Sequence, residues 1–189
     1  KLQQIKYNTV LLVNFYLPGK DVIIDKYHSF GYLVPKANSN PEKFLGVIFD
    51  SVIEQSAKPL FESSSVTTPT VKKNYTKLTA MMGGHLLNDA SENPVIPDEK
   101  TTISLVKNAL RKHLNIASED LEAGLWVCAV AKDCLPRFSV GYLDLANSIE
   151  TEVVKDYNGQ VSLGGMGFSR GPGVPDVVTD SMLDAIKLK

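Results

Sequence analysis

The sequence predicts an α+β fold in which a curved antiparallel or mixed sheet packs against helices. Apolar and β-branched runs fill much of the first 82 residues, and turn residues separate them, which is typical of antiparallel strands. Two later segments, 99–114 and 142–157, repeat their apolar residues at helical spacing instead. Strands first and helices later favour an α+β arrangement over an alternating α/β one.

The first strand is predicted over 7–17, because this run is apolar without a helical period and ends at Pro18 and Gly19. The run 44–52 is apolar almost throughout and predicts a strand covered on both faces. Residues 54–74 are rich in Ser, Thr, Lys and Pro and predict an exposed loop. The other predicted strands are 22–24, 30–35, 75–82, 121–131 and 161–163.

Three helices are predicted in the second half of the chain. Asp98 is placed to cap the first, whose apolar stripe is Ile103, Val106, Leu110 and Leu114. Residues 142–157 form the second. The third begins at Val174, directly after a loop with five glycines.

Composition excludes several classes of function. The net charge is −1 and no basic run is interleaved with aromatic residues, so we expect no nucleic-acid partner. The chain has two cysteines and three histidines, none at metal-ligand spacing, so we expect no metal. Lys1 is not an initiator Met, and a strand is predicted from Tyr7, so we expect a piece cut from a longer protein.

The glycine loop 164–173 places unshielded backbone N–H groups before a helix N-terminus, which stabilises negative charge lying against it. The spacing does not match the dinucleotide fingerprint, and the chain ends too soon for its other parts. Two interpretations stay open at this point, a plain surface turn and a seat for a cofactor ring. Arg137 and Arg170 flank candidate cofactor loops, although a solvated role is commoner for such residues.

Four apolar residues on neighbouring predicted strands adjoin glycines that would leave space: Phe30, Leu33, Ile48 and Met81. Over a cavity they could hold a flat apolar ligand, whereas plain core packing is the commoner fate of such residues. No nucleophile, base and acid stand together, so we expect no catalytic side chain. If the chain belongs to an enzyme, the chemistry is a cofactor's.

Five motifs in order carry a resemblance to a known family: FGYLVP (30–35), LGVIFDS (45–51), TAMMGG (79–84), CLPRFSVG (134–141) and GPGVPD (171–176). Together they resemble the C-terminal part of the protoporphyrinogen oxidase family, most closely its fungal form. These enzymes are similar in fold to the monoamine-oxidase-like FAD flavoenzymes. The resemblance spans essentially the whole chain.

The resemblance implies an FAD enzyme that removes six hydrogens from protoporphyrinogen IX, with O2 as acceptor, in haem biosynthesis. Phe30, Leu33, Ile48 and Met81 match positions lining the tetrapyrrole pocket. The matches on the flavin side are Val130, Pro172, Gly173 and Val174. Residues 1–120 would then be substrate-domain sheet and helix, and 121–189 the C-terminal part of the FAD-binding domain.

The family's N-terminal dinucleotide fingerprint and the region of its propionate-binding arginine are not found here. We therefore expect the missing N-terminal half of the same chain as a partner, and no tight FAD binding or turnover by these residues alone. The resemblance implies a peripheral protein of the mitochondrial inner membrane, and leaves a homodimer open. Two alternatives remain, another amine-oxidase-like or phytoene-desaturase-like flavoenzyme and a non-enzymatic porphyrin-binding module.

Overall fold

A computed structural model of the chain describes residues 1–35, 39–56, 74–87 and 95–187. These residues divide into two compact units. The larger is Val10–Ala131, and the smaller joins Lys1–Thr9 to Lys132–Lys189. The boundaries between the two units therefore fall inside the first and last strands. The predicted division at 120/121 separates substrate-binding from FAD-binding residues, and it stays a prediction.

Within the described ranges, five strands form one sheet in the order β2-β3-β4-β1-β5. Pairing of β1 with β4, β4 with β3, and β3 with β2 is antiparallel, so the predicted α+β class with an antiparallel sheet is confirmed at that level. The strands are β1 (Tyr7–Pro18), β2 (Gly31–Leu33), β3 (Phe44–Ile48), β4 (Tyr75–Gly83) and β5 (Leu125–Pro136).

The helices lie between and after these strands. They are α1 (Asp50–Ser56), α2 (Glu99–Leu114), α3 (Ser118–Ala123), α4 (Tyr142–Asp156) and α5 (Val174–Lys187), with short 3₁₀ turns at Leu2–Gln4 and Gly84–Leu86. The Asp98 cap is confirmed, because its carboxylate accepts the amide of Thr101 at 2.8 Å. The basic last turn of α2 suits the helix dipole.

The larger unit has one continuous apolar core. Alternate residues of β1, including Leu11, Val13 and Phe15, are buried with Val106 and Leu110 of α2. Because successive strand residues point to opposite faces, this alternation gives the sheet a core face and an opposite face that α2 does not cover. We call the opposite face the open face.

The smaller unit has a small core around α4. Ile5, Tyr142, Ala146 and Ile149 are buried there, and Leu163 and Phe168, which lie before and within the glycine loop, pack against them. The apolar residues of α5 are mostly exposed within this unit, among them Val174, Val178, Met182 and Ile186.

Several predicted elements were wrong in type or extent. Residues 22–24 form a bend and turn in which the Asp21 carboxylate accepts the amides of Ile23 and Ile24, and 161–163 is not a strand. The strand predicted over 44–52 ends at Ile48, because α1 begins at Asp50. The strand predicted from 121 begins at Leu125, since Leu121 belongs to α3 and is buried. Most of the loop predicted over 54–74 lies outside the described residues.

Candidate functional site

The open face is defined by strand register. Met81 pairs with Leu12 on one side and Gly46 on the other, and Gly46 pairs with Leu33. Paired residues of antiparallel strands share a face, so Leu12, Leu33 and Met81 lie on the open face. Ile48 joins them, because it pairs with Thr79 next along β4. Three of the four residues predicted to meet substrate therefore share one face, opposite the core.

A one-residue bulge in β3 produces this arrangement. Phe44 pairs with Met82 while Gly46 pairs with Met81, so Leu45 is an extra residue on β3. Without the bulge, Phe44 and Gly46 would share a face. With it, Phe44 is fully buried in the core, and Gly46 and Ile48 turn to the open face. The bulge therefore keeps both faces of β3 in phase with the rest of the sheet.

Gly46 does not leave the empty space that the sequence suggested. A β-carbon on Gly46 would lie 2.3 Å from the carbonyl oxygen of Tyr32 and 3.0 Å from Leu33 Cδ2. Gly31 is equally crowded, since its β-carbon would lie 2.1 Å from the carbonyl oxygen of Val47. The two glycines therefore allow β2 and β3 to approach closely and bring Leu33 over the face.

Exposure separates the predicted substrate residues into two groups. Leu33 is 75% exposed and Phe30, directly before β2, is 68% exposed. Ile48 and Met81 are half-buried. None of the four belongs to the fully buried core, so within the larger unit they provide apolar surface rather than core packing. Full burial in the core of this unit, which the core-packing interpretation expects, is therefore not observed, and the assignment of these residues to a ligand stays a prediction.

The other end of the open face is polar, and sequence reasoning missed it. Thr79 Oγ1 lies 2.8 Å from Asp50 Oδ2 and 2.9 Å from Asn14 Oδ1. Glu54 of α1 accepts hydrogen bonds from Lys77 Nζ and from the hydroxyl of Tyr75, the latter at 2.7 Å. A signal was present, since Tyr75, Lys77 and Thr79 alternate along β4, and Asp50 and Glu54 are one helical turn apart.

These contacts change the ionisation of two groups. The hydrogen bond to Glu54, with smaller contributions from burial and nearby carboxylates, raises the pKa of Tyr75 to about 12. The pKa of Lys77 is raised, first by its hydrogen bond to Glu54 and further by the charges of Glu54 and Asp50. At neutral pH Tyr75 is therefore a neutral donor and Lys77 a cation that is already paired.

A groove of about 500 Å³ lies at this polar end. Its lining joins polar groups to the exposed apolar side chains of β5, and consists of Asn14, Phe15, Tyr16, Glu54, Tyr75, Lys77, Leu125 and Val127. Leu125 and Val127 are 64% and 61% exposed. The groove is thus apolar along β5 and charged along α1.

Hydrogen bonds join the glycine loop of the smaller unit to α4 and α5. The hydroxyl of Tyr142 in α4 donates to the carbonyl of Gly167 at 2.7 Å. Arg170 donates its backbone amide and its Nε to the two carboxylate oxygens of Asp180, each at 2.9 Å. Arg170 is therefore fixed to α5, while the backbone amide of Arg137 donates to the carbonyl of Lys6 at 2.8 Å.

The start of α5 carries the predicted flavin-contacting residues. Pro172 is exposed, Val174 is 75% exposed, and the carbonyl of Gly173 accepts the amide of Val177 at 3.0 Å. The Asp176 carboxylate lies close to the glycine loop, since a β-carbon on Gly171 would be only 2.8 Å from Asp176 Oδ2. A negative charge of the chain itself therefore already lies beside this helix N-terminus.

Val130 lies in β5 within the larger unit and is 42% exposed, whereas Pro172, Gly173 and Val174 belong to the smaller unit. The predicted cofactor set is therefore divided between the two units. Each part presents apolar surface within its own unit.

The described residues contain neither a metal-binding group nor a helix that could cross a membrane. No three of their His, Cys, Asp or Glu side chains come together as a metal-binding group. Within the same ranges, no helix has both the length and the apolar character needed to cross a bilayer.

Comparisons with known proteins identify the enzymes to which this chain is similar. The chain is 54% identical over 187 residues to the protoporphyrinogen oxidase of Saccharomyces cerevisiae, a match that covers 99% of this chain and 34% of the relative. It is 29% identical over 183 residues to that of Schizosaccharomyces pombe, covering 96% and 32%. The chain thus spans about a third of the length of the curated relatives it matches. No family model matches it.

The fold has a counterpart among solved structures. A protein from Exiguobacterium sp. 255-15, assigned provisionally to protoporphyrinogen oxidase, matches 99% of this chain and 36% of its own length, with a TM-score of 0.64 and 19% identity. At that identity the likeness concerns the fold alone. The sequence matches carry the rest, and they confirm the predicted resemblance: over nearly all of its length, this chain is similar to about a third of a protoporphyrinogen oxidase.

Proposed function

We propose that this chain is the substrate-side part of an FAD-dependent oxidase that converts protoporphyrinogen IX to protoporphyrin IX, with O2 as acceptor. The observation that carries the proposal is the 54% identity to the yeast enzyme over 187 residues. In support, the residues matched to the tetrapyrrole pocket include three that share the open face.

The open face suits a flat apolar macrocycle. Leu33, Ile48 and Met81 present aliphatic and thioether surface outside the core, and burying each against a ligand is worth about 1.5 to 3 kcal/mol when burial is complete. In this proposal their task is to hold the ring in one plane and exclude water, because positioning accounts for much of the rate of such reactions.

The residues proposed to hold FAD fit its ring in part. Pro172 and Val174 expose apolar side chains beside the start of α5, and Val130 exposes another in the larger unit, as the edge of a flat ring requires. The helix N-terminus contributes less than the sequence suggested, since Asp176 already lies beside Gly171. FAD, when bound, would take up the hydrogens removed from the porphyrinogen and pass their electrons to O2.

The resemblance also supports a peripheral location on the mitochondrial inner membrane, which we propose on that ground alone. The partner proposed for catalysis is the dinucleotide-binding half. The match covers 34% of the yeast relative, so about two thirds of that relative's length could include such a half. A homodimer remains a further proposal.

The experiment compares this chain with a longer one that includes a dinucleotide-binding half. Each is mixed with FAD and then with protoporphyrinogen IX, while flavin fluorescence and porphyrin emission are followed. We expect flavin quenching and porphyrin formation from the longer chain only. Oxidation of an amine in place of porphyrinogen would favour the amine-oxidase-like alternative, and porphyrin binding without flavin binding would favour the non-enzymatic module.

A matched pair of substitutions in the longer chain tests the open face itself. Leu33→Asp places a charge on that face, and Val95→Asp places one on a residue of the larger unit that is 82% exposed in the segment before α2. We expect Leu33→Asp to lower kcat/KM at least about tenfold, which corresponds to the cost of one unfavourable charge. Val95→Asp should leave kcat/KM within about twofold. Equal effects would argue against the open face as the substrate site.

A further inference from the structure

The open face has two chemically different ends, and the difference bears on how a substrate lies there. Leu12, Leu33, Ile48 and Met81 form the apolar end. Lys77 is four residues from Met81 on the same strand and face, roughly 13 Å away at the usual rise per residue. A flat tetrapyrrole on this face would therefore extend from one end toward the other.

The polar end of the open face lies beside α1 and is called the α1 end below. The described residues that face it carry two negative charges and one positive charge. Glu54 and Asp50 are carboxylates, and Lys77 is a cation whose ammonium is already bonded to Glu54. The Tyr75 hydroxyl is also committed to Glu54. Among the described residues, a carboxylate of a ligand would thus meet two like charges and no cation available for pairing, which is an unfavourable arrangement.

Neutral substituents meet a different surface in the same groove. Leu125 and Val127 of β5 are largely exposed and line it opposite the charged side chains. Vinyl and methyl groups can be buried against them, whereas a propionate would have to shed water without gaining a partner.

We propose that Asp50 and Glu54 act as specificity-determining residues that keep carboxylate substituents away from the α1 end of the open face. The inference rests on the proposed function. Protoporphyrinogen IX carries its two propionates on adjacent pyrroles, so it binds with its vinyl-bearing side toward α1. A porphyrinogen with a propionate on every pyrrole has no neutral side to offer and is excluded.

The test compares protoporphyrinogen IX with coproporphyrinogen III, which carries four propionates, as substrates of the longer chain. Glu54→Gln keeps the size and hydrogen-bonding oxygen of the side chain while removing its charge, and Asp50→Asn does the same in α1. We expect the double variant to raise kcat/KM for coproporphyrinogen III about tenfold or more. For protoporphyrinogen IX we expect a smaller change, so that the ratio of the two kcat/KM values shifts toward coproporphyrinogen III. Glu119→Gln, on the exposed first turn of α3, is the control and should change neither value.

A binding measurement gives a second readout that does not need turnover. The chain has one tryptophan, Trp126 in β5, and quenching of its emission reports binding of protoporphyrin IX and coproporphyrin III. In the variant that carries both Asp50→Asn and Glu54→Gln, the dissociation constants of protoporphyrin IX and coproporphyrin III should lie closer together than in the unsubstituted chain. Unchanged selectivity in both assays, with normal oxidation of protoporphyrinogen IX, would overturn this inference and leave the proposed function standing. An unsubstituted longer chain that oxidises neither porphyrinogen would overturn both.

Discussion

The two compact units of this chain stabilise themselves by different means. In Val10–Ala131 a continuous core joins β1, β3 and β4 to α2, and side chains such as Leu11, Phe44 and Leu110 are fully buried. In the smaller unit the buried core of the described residues is four side chains around α4, while much of the apolar surface of α5 is exposed. The larger unit therefore depends on burial, and the smaller one depends more on individual hydrogen bonds such as that from Tyr142 to Gly167.

The largest expected effect comes from the core of the larger unit. Phe15 is 1% exposed, and its ring lies 4.6 Å from that of Trp126. Phe15→Ala should lower the free energy of unfolding by about 3 to 5 kcal/mol, because it removes a large buried ring and leaves a cavity. Urea unfolding followed by Trp126 emission measures this.

The control for that experiment lies on the same sheet. Leu125→Ala, at a position 64% exposed, should change the free energy of unfolding by less than about 0.5 kcal/mol. A small effect of Phe15→Ala would mean that burial does not dominate in this unit, and the contrast between the units would fail.

A smaller and more local effect is expected in the smaller unit. Tyr142→Phe keeps the ring, which packs 4.9 Å from Phe138, but removes the hydrogen bond to Gly167. Loss of one such bond costs about 1 kcal/mol, so amide exchange at Phe168 and Ser169 in the glycine loop should quicken roughly fivefold. Hydrogen exchange measured by NMR reports these amides separately from those of α2.

Exchange in α2 sharpens the comparison, because it should not respond to Tyr142→Phe. Tyr157→Phe serves as the matched control, since Tyr157 is 56% exposed at the end of α4. Equal acceleration in the loop and in α2 would show that the two units open together.

The smallest expected effect concerns the cap of α2. Hydrogen bonds from the amide and hydroxyl of Thr101 hold the pKa of Asp98 below its ordinary value. The folded pKa is thus lower than the unfolded one, so the stabilisation is complete above the ordinary aspartate pKa of about 3.9 and is lost as the pH falls through the folded value.

Asp98→Asn tests this sign, because asparagine also caps helices but does not ionise in this range. The urea midpoint of the unsubstituted chain should fall more steeply than that of Asp98→Asn as the pH is lowered below about 4. Asp98→Ala lacks the cap at every pH and separates the geometry of the cap from its charge. Parallel pH profiles for all three chains would contradict the assignment.

Local signals in the sequence sufficed where an element has its own start and period. Asp98 and the apolar stripe of α2 are of this kind, as is β1, and both are confirmed. Residues 44–49 are apolar apart from Gly46, so their pattern does not reveal that the strand stops at Ile48, and Asp50 and Ser51 were the available signal for the start of α1. Tertiary contacts determine whether such a run forms a strand or a helix, because both would bury its apolar side chains equally well.

The polar end of the open face was missed for a different reason, because the alternation along β4 does not tell which other segment its side chains meet. Lys77 and Glu54 are 23 residues apart, and only the register of β4 against its neighbours brings them to one groove. The apolar residues of the same face were found through their family motifs rather than through any period. Their assignment to substrate stays a prediction, as does that of Val130 and Pro172 to Val174 to the flavin.

The extra residue at Leu45 has a consequence for how relatives of this chain are aligned. Residues 46–48 alternate between the faces in one phase, and Phe44 belongs to the opposite phase. Placing a single-residue gap at 45 in an alignment therefore has a structural meaning. It changes which side chains on one side of the gap are assigned to the core and which to the open face. A relative without the extra residue would have to exchange large and small side chains on one side of that point, or accept a phenylalanine where a substrate is proposed to lie.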